Sequence, residues 1–197
     1  FINGTYQVYG CFCSPECGVA YLMNENIDSS AKFERYHLFN HIYSKIYDYK
    51  KNIKPCIGCR ACYKKPGCSI KNDDMHLLYE AAESADNFIL ASPIHFGNLT
   101  GKMLVAFSRF QTYWASKFVR KDFHEIMKKP KKGLLLITSG TNWPNLNLIP
   151  EGSAHFVFEH IKCENMGTIL ASKTDKHEVK DNISVLEKAE KLSLLLK

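Results

Sequence analysis

The chain has 197 residues, enough for one α/β domain or two small ones, and 45% of them are hydrophobic, as in ordinary packed proteins. No stretch approaches twenty uninterrupted apolar residues, so a membrane span is excluded, and the first residues lack the pattern of a signal peptide. The net charge of +6 is spread over several segments without a compact basic patch, so charge alone does not indicate nucleic-acid binding.

The first piece of the chain, residues 1–51, has the pattern of a small, mostly helical segment. Ser14 followed by Pro15 predicts a helix start, because serine caps a helix and proline suits its first position. Further along, apolar residues recur at spacings of three and four, which predicts a helix between about residues 39 and 47. Its tyrosines fit a packed helix face better than an aromatic recognition surface.

The second piece, residues 52–197, alternates between helical and buried-strand patterns. Strands followed by helices predict βαβ units and a parallel sheet, so the fold class is α/β. The Asp73-Asp74 pair is expected to cap the first of these helices. The predicted strands are 88–91, 133–138 and 167–171, and the predicted helices are 75–84, 99–118, 151–163 and 179–196.

Four of the eight cysteines form a compact run with gaps of two, two and five residues, at Cys56, Cys59, Cys62 and Cys68. Thiolates at such spacings suit a [4Fe–4S] cluster, whereas structural zinc sites usually use two separated pairs. Zinc and metal-free thiols remain the alternatives. Clustered cysteines in a chain of this length favour redox or metal chemistry over disulfides, so we expect a reducing, cytoplasmic location.

Several separate motifs follow one another in an order that resembles one known family. The chain resembles the NAD(P)H-dependent FMN reductase group of the flavodoxin-like superfamily, in its iron–sulfur flavoprotein branch. The motifs that carry this resemblance are Asn52–Cys62, Gly67-Cys68, Asp73-Asp74-Met75, Ala85-Asp86, Ser92–Asn98, Gly101-Lys102 and Arg109. The resemblance implies a flavodoxin-like doubly wound parallel sheet that binds FMN beyond the carboxyl ends of its strands.

The same resemblance implies which residues contact the cofactor. The expected contacts come from two loops, Ser92, Pro93, Ile94, His95, Phe96, Gly97 and Asn98 in the first, and Thr138, Ser139 and Gly140 in the second. FMN would accept a hydride from NAD(P)H as co-substrate and pass electrons to the cluster, or to a small-molecule or protein acceptor, so no protein nucleophile or general base is needed. His95 stands where the family often has tyrosine, and is either a flavin contact or a surface residue. Arg109 suits a structural ion pair better than a ligand contact.

A second resemblance covers the first piece of the chain. The segment Tyr9–Leu22 is similar to an FCS-type zinc finger of late transcription factors from large DNA viruses, and residues 28–55 continue the likeness. It implies that Cys13 and Cys17 are one half of a zinc site; a helix start that happens to carry cysteines is the alternative. We therefore expect two domains, residues 1–51 and residues 52–197, which meet at a junction near Pro55.

The family's first strand and its phosphate-binding loop should lie just before Asn52, and that pattern is not found there. In the strand order 2-1-3-4-5 the missing strand is central, so the sheet should be incomplete and expose an apolar edge. We expect a homo-oligomer that covers this edge, and no membrane partner. Three functions follow: a flavin-dependent oxidoreductase, a zinc-binding viral-type transcription factor fragment that binds nucleic acid, or a cofactor-free, non-catalytic remnant.

Overall fold

The structure, a computed structural model, describes residues 52–196. The predictions for residues 1–51, including the zinc half-site at Cys13 and Cys17 and the tyrosine-bearing helix, lie outside the described residues. Among residues 52–196, no helix has the length and hydropathy that crossing a membrane requires.

Within residues 52–196, three parallel strands form a sheet in the spatial order β1-β2-β3. They are β1 (Asn87–Pro93), β2 (Lys131–Thr138) and β3 (Cys163–Ala171). Each follows a helix or precedes one, so the predicted α/β class and the parallel sheet are confirmed. Because the strands are parallel and are joined by connections that contain helices, all three carboxyl ends lie at one edge of the sheet.

The described region has seven α-helices. They are α1 (Ala61–Lys64), α2 (Met75–Ser84), α3 (Gly101–Arg109), α4 (Gln111–Ala115), α5 (Phe123–Ile126), α6 (Leu148–His160) and α7 (Ile183–Ser193). The sequence did not predict α1 or α5. A π-helical turn, Ser116–Arg120, follows α4, and 3-10 turns cover Val179–Asp181 and Leu194–Leu196.

In the part of the chain that the structure describes, two apolar cores lie on opposite faces of the sheet. The larger core packs the face of β1 and β2 that carries Leu90 and Leu135 against residues of the helices between the strands, including Tyr113 and Phe158. The smaller one packs Ile169 of β3 against Val185 of α7. Because apolar side chains alternate between the two faces of each buried strand, both faces need a helical cover.

Three of the predicted helices have different bounds in the structure. The helix expected over 179–196 is α-helical only over α7, with a 3-10 turn before it and another after it. The helix expected to reach Cys163 ends at His160, and Cys163 is the first residue of β3. Lys162 has φ 56°, a left-handed conformation that ends the helix. Its carbonyl accepts a hydrogen bond from Lys131 N at 2.9 Å, so the residues that follow pair with β2 as a strand. The helix expected over 99–118 is interrupted at Phe110, whose amide bonds Phe107 O at 3.0 Å in a tighter turn.

The expected cap of α2 also differs in detail. Asp74 occupies the cap position without a side-chain cap bond, and its carboxylate accepts from Asn52 N at 2.7 Å instead. Asp73 Oδ1 accepts from Met75 N at 3.3 Å. The two carboxylates therefore join the segment before the cysteines to the start of α2.

Candidate functional site

The two loops expected to contact the flavin lie side by side at the carboxyl edge of the sheet. Pro93 is the register partner of Thr138, and Ile94 N donates to Thr138 O at 2.8 Å just beyond the paired strands. Ser139 N in turn donates to Ala171 O at 2.8 Å, which links the second loop to the end of β3. The structure thus brings both loops together at the edge where open α/β sheets bind ligands.

The first loop is a tight turn with an exposed aromatic side chain at its tip. His95 N donates to Asn98 O at 2.8 Å and Asn98 N donates to His95 O at 3.1 Å, which closes the turn. Phe96 and Gly97 have φ values of 51° and 79°, the left-handed conformation of both central residues in a type I′ turn. Glycine adopts this conformation freely, but phenylalanine rarely does. Its ring is fully exposed.

The base of this turn is held by two hydroxyl groups. Ser92 Oγ donates to Pro93 O at 2.8 Å and accepts from Thr100 N at 3.1 Å, and the Ser92 side chain is buried. Thr100 Oγ1 accepts from Met103 N at 3.4 Å and caps α3. The Ser92 hydroxyl is therefore used inside the loop, whereas the His95 side chain is exposed.

The second loop packs against a carboxylate that sequence patterns did not single out. A Cβ atom added to Gly140 would lie 2.2 Å from Asp175 Oδ2, so only glycine fits this approach without a shift. Ser139 O accepts from Thr174 N at 3.0 Å, and Thr141 O accepts from Lys173 N at 3.3 Å. The segment after β3 therefore forms a third wall of the edge. The sequence predicts that β2 and β3 are neighbouring buried strands, so it could have indicated that the segment after β3 lies at this edge. It could not have indicated the contact of Asp175 with Gly140.

The four-cysteine loop, residues 54–70, turns back on itself through three residues with positive φ. Gly58, Arg60 and Gly67 have φ values of 66°, 58° and 84°. The cysteines differ in exposure: Cys62 is buried, Cys59 is exposed, and Cys56 and Cys68 are intermediate. The short helix α1 lies between the second and fourth of them.

The four thiols are electrostatic neighbours. Burial raises the pKa of Cys62, and the thiols of Cys68, Cys56 and Cys59 raise it further. The pKa of Cys59 is lowered, chiefly by a hydrogen bond with the Ser69 hydroxyl 3.1 Å away. Across residues 52–196, however, no three His, Cys, Asp or Glu side chains stand close enough to hold a metal ion. The donors have the chemistry of an iron–sulfur site, but the structure does not show them in a closed coordination shell.

A buried ion pair stands beside this loop, as the sequence predicted for Arg109. Arg109 Nη1 lies 2.5 Å from Asp73 Oδ2, and both side chains are almost completely buried. Burial opposes ionisation of Asp73, but hydrogen bonds from Arg109, Lys54 N and Met75 N lower its pKa overall. Arg109 is therefore a structural ion-pair partner.

One helix connects the two candidate sites. Helix α3 begins directly after the first flavin-side loop, and its last residue, Arg109, bonds the four-cysteine loop. Its nine residues rise about 12 Å, at 1.5 Å per residue. The strand-end loops and the cysteines are therefore held at opposite ends of a single rigid element.

The family model described as NADPH-dependent FMN reductase matches residues 22–148. The chain belongs to this family. Family membership agrees with the flavodoxin-like sheet and with the strand-end loops described above. The match begins inside the segment that resembles a zinc finger, and that second resemblance finds no support. The domain boundary near residue 51 stays a prediction.

Curated relatives are iron–sulfur flavoproteins. An iron–sulfur flavoprotein of Archaeoglobus fulgidus is 36% identical over 69 residues, which are 35% of this chain and 31% of the relative. One from Methanocaldococcus jannaschii is 34% identical over 59 residues, 30% of each. The matches thus span about a third of these relatives' length. A solved Trp repressor binding protein from Bacillus subtilis has a TM-score of 0.49 at 20% identity, over 62% of this chain and 73% of that one.

Proposed function

We propose that this chain is a flavin-dependent oxidoreductase that takes electrons from NAD(P)H and passes them to a thiolate-bound iron–sulfur cluster or to an external acceptor. The observation that carries the proposal is the pairing of two family loops at the carboxyl edge of the sheet, joined by the 2.8 Å bond from Ile94 N to Thr138 O. Family membership supports FMN as the cofactor and a nicotinamide as its reductant. We also propose that the chain works in a reducing, cytoplasmic setting.

When bound, FMN supplies hydride acceptance and one-electron release, which are steps that protein side chains do not perform. The chain's contribution is to place the ring. The hydrogen bonds that close the turn use the amides of His95 and Asn98 and not those of Phe96 and Gly97. The exposed ring of Phe96 at the tip of the first loop offers an apolar surface of the kind that flat ligands require.

For the cluster, the residues that would hold it are Cys56, Cys59, Cys62 and Cys68. Their donor chemistry fits, because thiolates at close spacing are the ligands that iron–sulfur clusters use. The names of the matched relatives, all iron–sulfur flavoproteins, support the same assignment. With a bound cluster, the chain could transfer electrons one at a time.

The flavin part is tested by titrating the full chain with FMN and following the loss of flavin fluorescence. Gly97→Ala should weaken binding about tenfold or more, since alanine at φ 79° strains the turn. Gly101→Ala is the matched control, because nothing lies within 4 Å of the added methyl group and α3 tolerates it. Wild-type protein that binds no FMN, or equal affinity in the two variants, would contradict the flavin site.

The cluster part is tested by anaerobic reconstitution of the full chain with iron and sulfide, followed by metal and sulfide analysis. Serine in place of any one of the four loop cysteines should lower the iron content, while Cys163→Ser should not, because Cys163 lies buried at the start of β3. Stoichiometric zinc without sulfide would instead indicate a zinc site. A protein without either would leave only the flavin part of the proposal standing.

A further inference from the structure

One guanidinium group touches both ends of the four-cysteine loop. Arg109 Nη1 donates to Lys54 O at 2.9 Å, and Nη2 donates to Ile70 O at 3.0 Å. Lys54 lies two residues before Cys56, and Ile70 lies two residues after Cys68. A planar fork with fixed donor directions can join two carbonyl groups in this way, whereas a lysine ammonium presents a single point.

The guanidinium is itself held in place. Arg109 is 1% exposed, and its Nη1 also bonds Asp73 Oδ2 at 2.5 Å. The same carboxylate oxygen accepts from Lys54 N at 3.0 Å, so the ion pair bonds both the amide and the carbonyl of one loop residue. A buried ion pair is weak evidence for stability, because apolar residues of similar size often serve the fold equally well. The bonds of this pair to the loop backbone fit a role in setting the geometry of the loop.

The fourth thiol lies beside this ion pair. Cys68 is an electrostatic neighbour of both Arg109 and Tyr79. The Tyr79 hydroxyl donates to Arg109 O at 2.9 Å, so both of these side chains lie at the end of α3. Within the described region, Arg109 Nε is a buried donor without an acceptor.

Other residues of the same helical stretch hold single points of the loop. Ser108 Oγ accepts from Cys56 N at 3.0 Å. Arg120 Nη1 donates to Cys62 O, and its Nε is paired with Asp122 at 2.8 Å. The first and third cysteines are thus fixed through their backbones, but these contacts leave the two ends of the loop unjoined. Asp73 and Asp74 bond the amides of Lys54 and Asn52 before the loop. Arg109 adds a direct side-chain link between Lys54 and Ile70 at its two ends.

We infer that Arg109 is the positioning residue of the four-cysteine site: it fixes the two ends of the loop relative to each other, so that the four thiols have less far to move when they close on a metal. The inference rests on the proposal that this loop binds a metal centre. A preorganised loop loses less conformational freedom when it binds than an open one does. Arg109 contacts backbone groups and not the metal, so its effect is on affinity and on the environment of Cys68.

The test uses the full chain, freed of metal under anaerobic conditions, and titrates it with Co²⁺ while following thiolate-to-cobalt absorption. Arg109→Lys keeps a charge opposite Asp73 but cannot reach both carbonyl groups. We expect about tenfold weaker Co²⁺ binding, as for other residues that orient metal ligands, and less iron and sulfide after reconstitution. Alkylation of Cys68 in the metal-free protein should become faster, which a merely structural role would not cause.

Two comparisons make the result decisive. Lys129→Gln breaks the exposed Lys129–Asp86 pair and should leave Co²⁺ binding unchanged. Protection of buried Cys163 from alkylation reports that the fold is intact. If Arg109→Lys loses that protection, the double variant Asp73→Asn with Arg109→Gln, which leaves no buried charge, replaces it. If neither variant folds, Arg109 belongs to the fold as a whole and the inference is overturned.

The remaining outcomes separate this inference from the proposed function. If the wild type binds neither Co²⁺ nor iron, the proposed metal centre is wrong and the inference falls with it. If the wild type binds metal and a folded Arg109 variant binds it equally well, with unchanged Cys68 alkylation, the metal centre stands and the positioning role is wrong. Weaker binding together with faster Cys68 alkylation in a folded variant supports both.

Discussion

At the scale of single residues, the cysteines of the described region have clearly different environments. Cys59 is exposed, and the Ser69 hydroxyl lowers its pKa. Cys163 is buried, and burial raises its pKa to about 11 even though neighbouring Lys131 acts in the opposite direction. The thiolate is the reactive form of cysteine. Cys59 in the four-cysteine loop should therefore react readily with alkylating reagents, whereas Cys163 at the start of β3 should react slowly.

Alkylation of the metal-free native protein at pH 8 should therefore label Cys59 first and Cys163 last among the cysteines of residues 52–196. At that pH a thiol with a pKa of about 11 is ionised in about one molecule in a thousand. Ser69→Ala should slow labelling of Cys59, because the hydrogen bond that lowers its pKa is lost. Ser184→Ala, at an exposed site on α7, should not. Peptide mass spectrometry over time measures the rates, and equal rates at Cys59 and Cys163 would refute the assignment.

A glycine in β2 is required by close packing. A Cβ atom added to Gly133 would lie 2.6 Å from Cys163 Sγ and 2.8 Å from the Phe158 ring. Gly133→Ala should therefore lower the free energy of unfolding by about 1–3 kcal/mol through overpacking, measured by urea denaturation. Gly152→Ala, at an exposed position of α6 with open space around it, should be neutral or stabilising by up to about 1 kcal/mol. Similar losses in both variants would argue against the close contact.

At the scale of elements, α3 is the structural link between the sheet and the cysteine loop. Its first turn is capped by Thr100 beside one candidate site, and its last residue forms the buried pair with Asp73 beside the other. The two ends are joined by helical hydrogen bonds rather than by loops. A displacement of one end of α3 should therefore also move the other end.

The Asp73–Arg109 pair predicts a particular pH dependence. Its hydrogen bonds lower the pKa of Asp73 below the ordinary 3.8, so the ionised carboxylate stabilises the folded state above about pH 4. That contribution is lost as the pH falls through the lowered pKa. Asp73→Asn should cost about 3–5 kcal/mol at pH 7, since Arg109 is left buried without a counter-charge, and should remove this part of the acid sensitivity.

Urea denaturation at pH 7 and at pH 3 measures the effect of Asp73→Asn. The control is Asp86→Asn, which breaks an exposed pair with Lys129 and should change the unfolding free energy by less than about 1 kcal/mol. If the free energy of unfolding falls by the same amount between pH 7 and pH 3 in the wild type and in Asp73→Asn, Asp73 does not cause the pH dependence.

At the scale of the whole molecule, the described region has one poorly covered face. Ile89 in β1 is 52% exposed, although its register partner Leu134 is buried. Helix α7 packs on the same face but against β3, and no strand of residues 52–196 pairs with the outer edge of β1. This agrees with the incomplete sheet expected from the sequence.

If a second copy of the chain covers this face, the protein should form a homo-oligomer in solution. Light scattering of the full chain should give a mass above the 22.5 kDa of one chain. Ile89→Lys should shift the protein toward the monomer, because it places a charge on the apolar face. Leu77→Lys on α2, at a less exposed apolar site, is the control and should leave the mass unchanged. A monomeric wild type at all concentrations would contradict the expected homo-oligomer.

The sequence by itself determined the alternation of strands and helices, the two strand-end loops and the cysteine spacing, because these depend on local periodicity and turn chemistry. It also indicated that Arg109 forms an ion pair, but not the partner, since Asp73 is 36 residues away. Only the tertiary structure decided that Cys163 begins a strand, that Asp175 faces Gly140, and that one guanidinium joins both ends of the cysteine loop. Such contacts arise when distant segments pack together, and no local pattern encodes them.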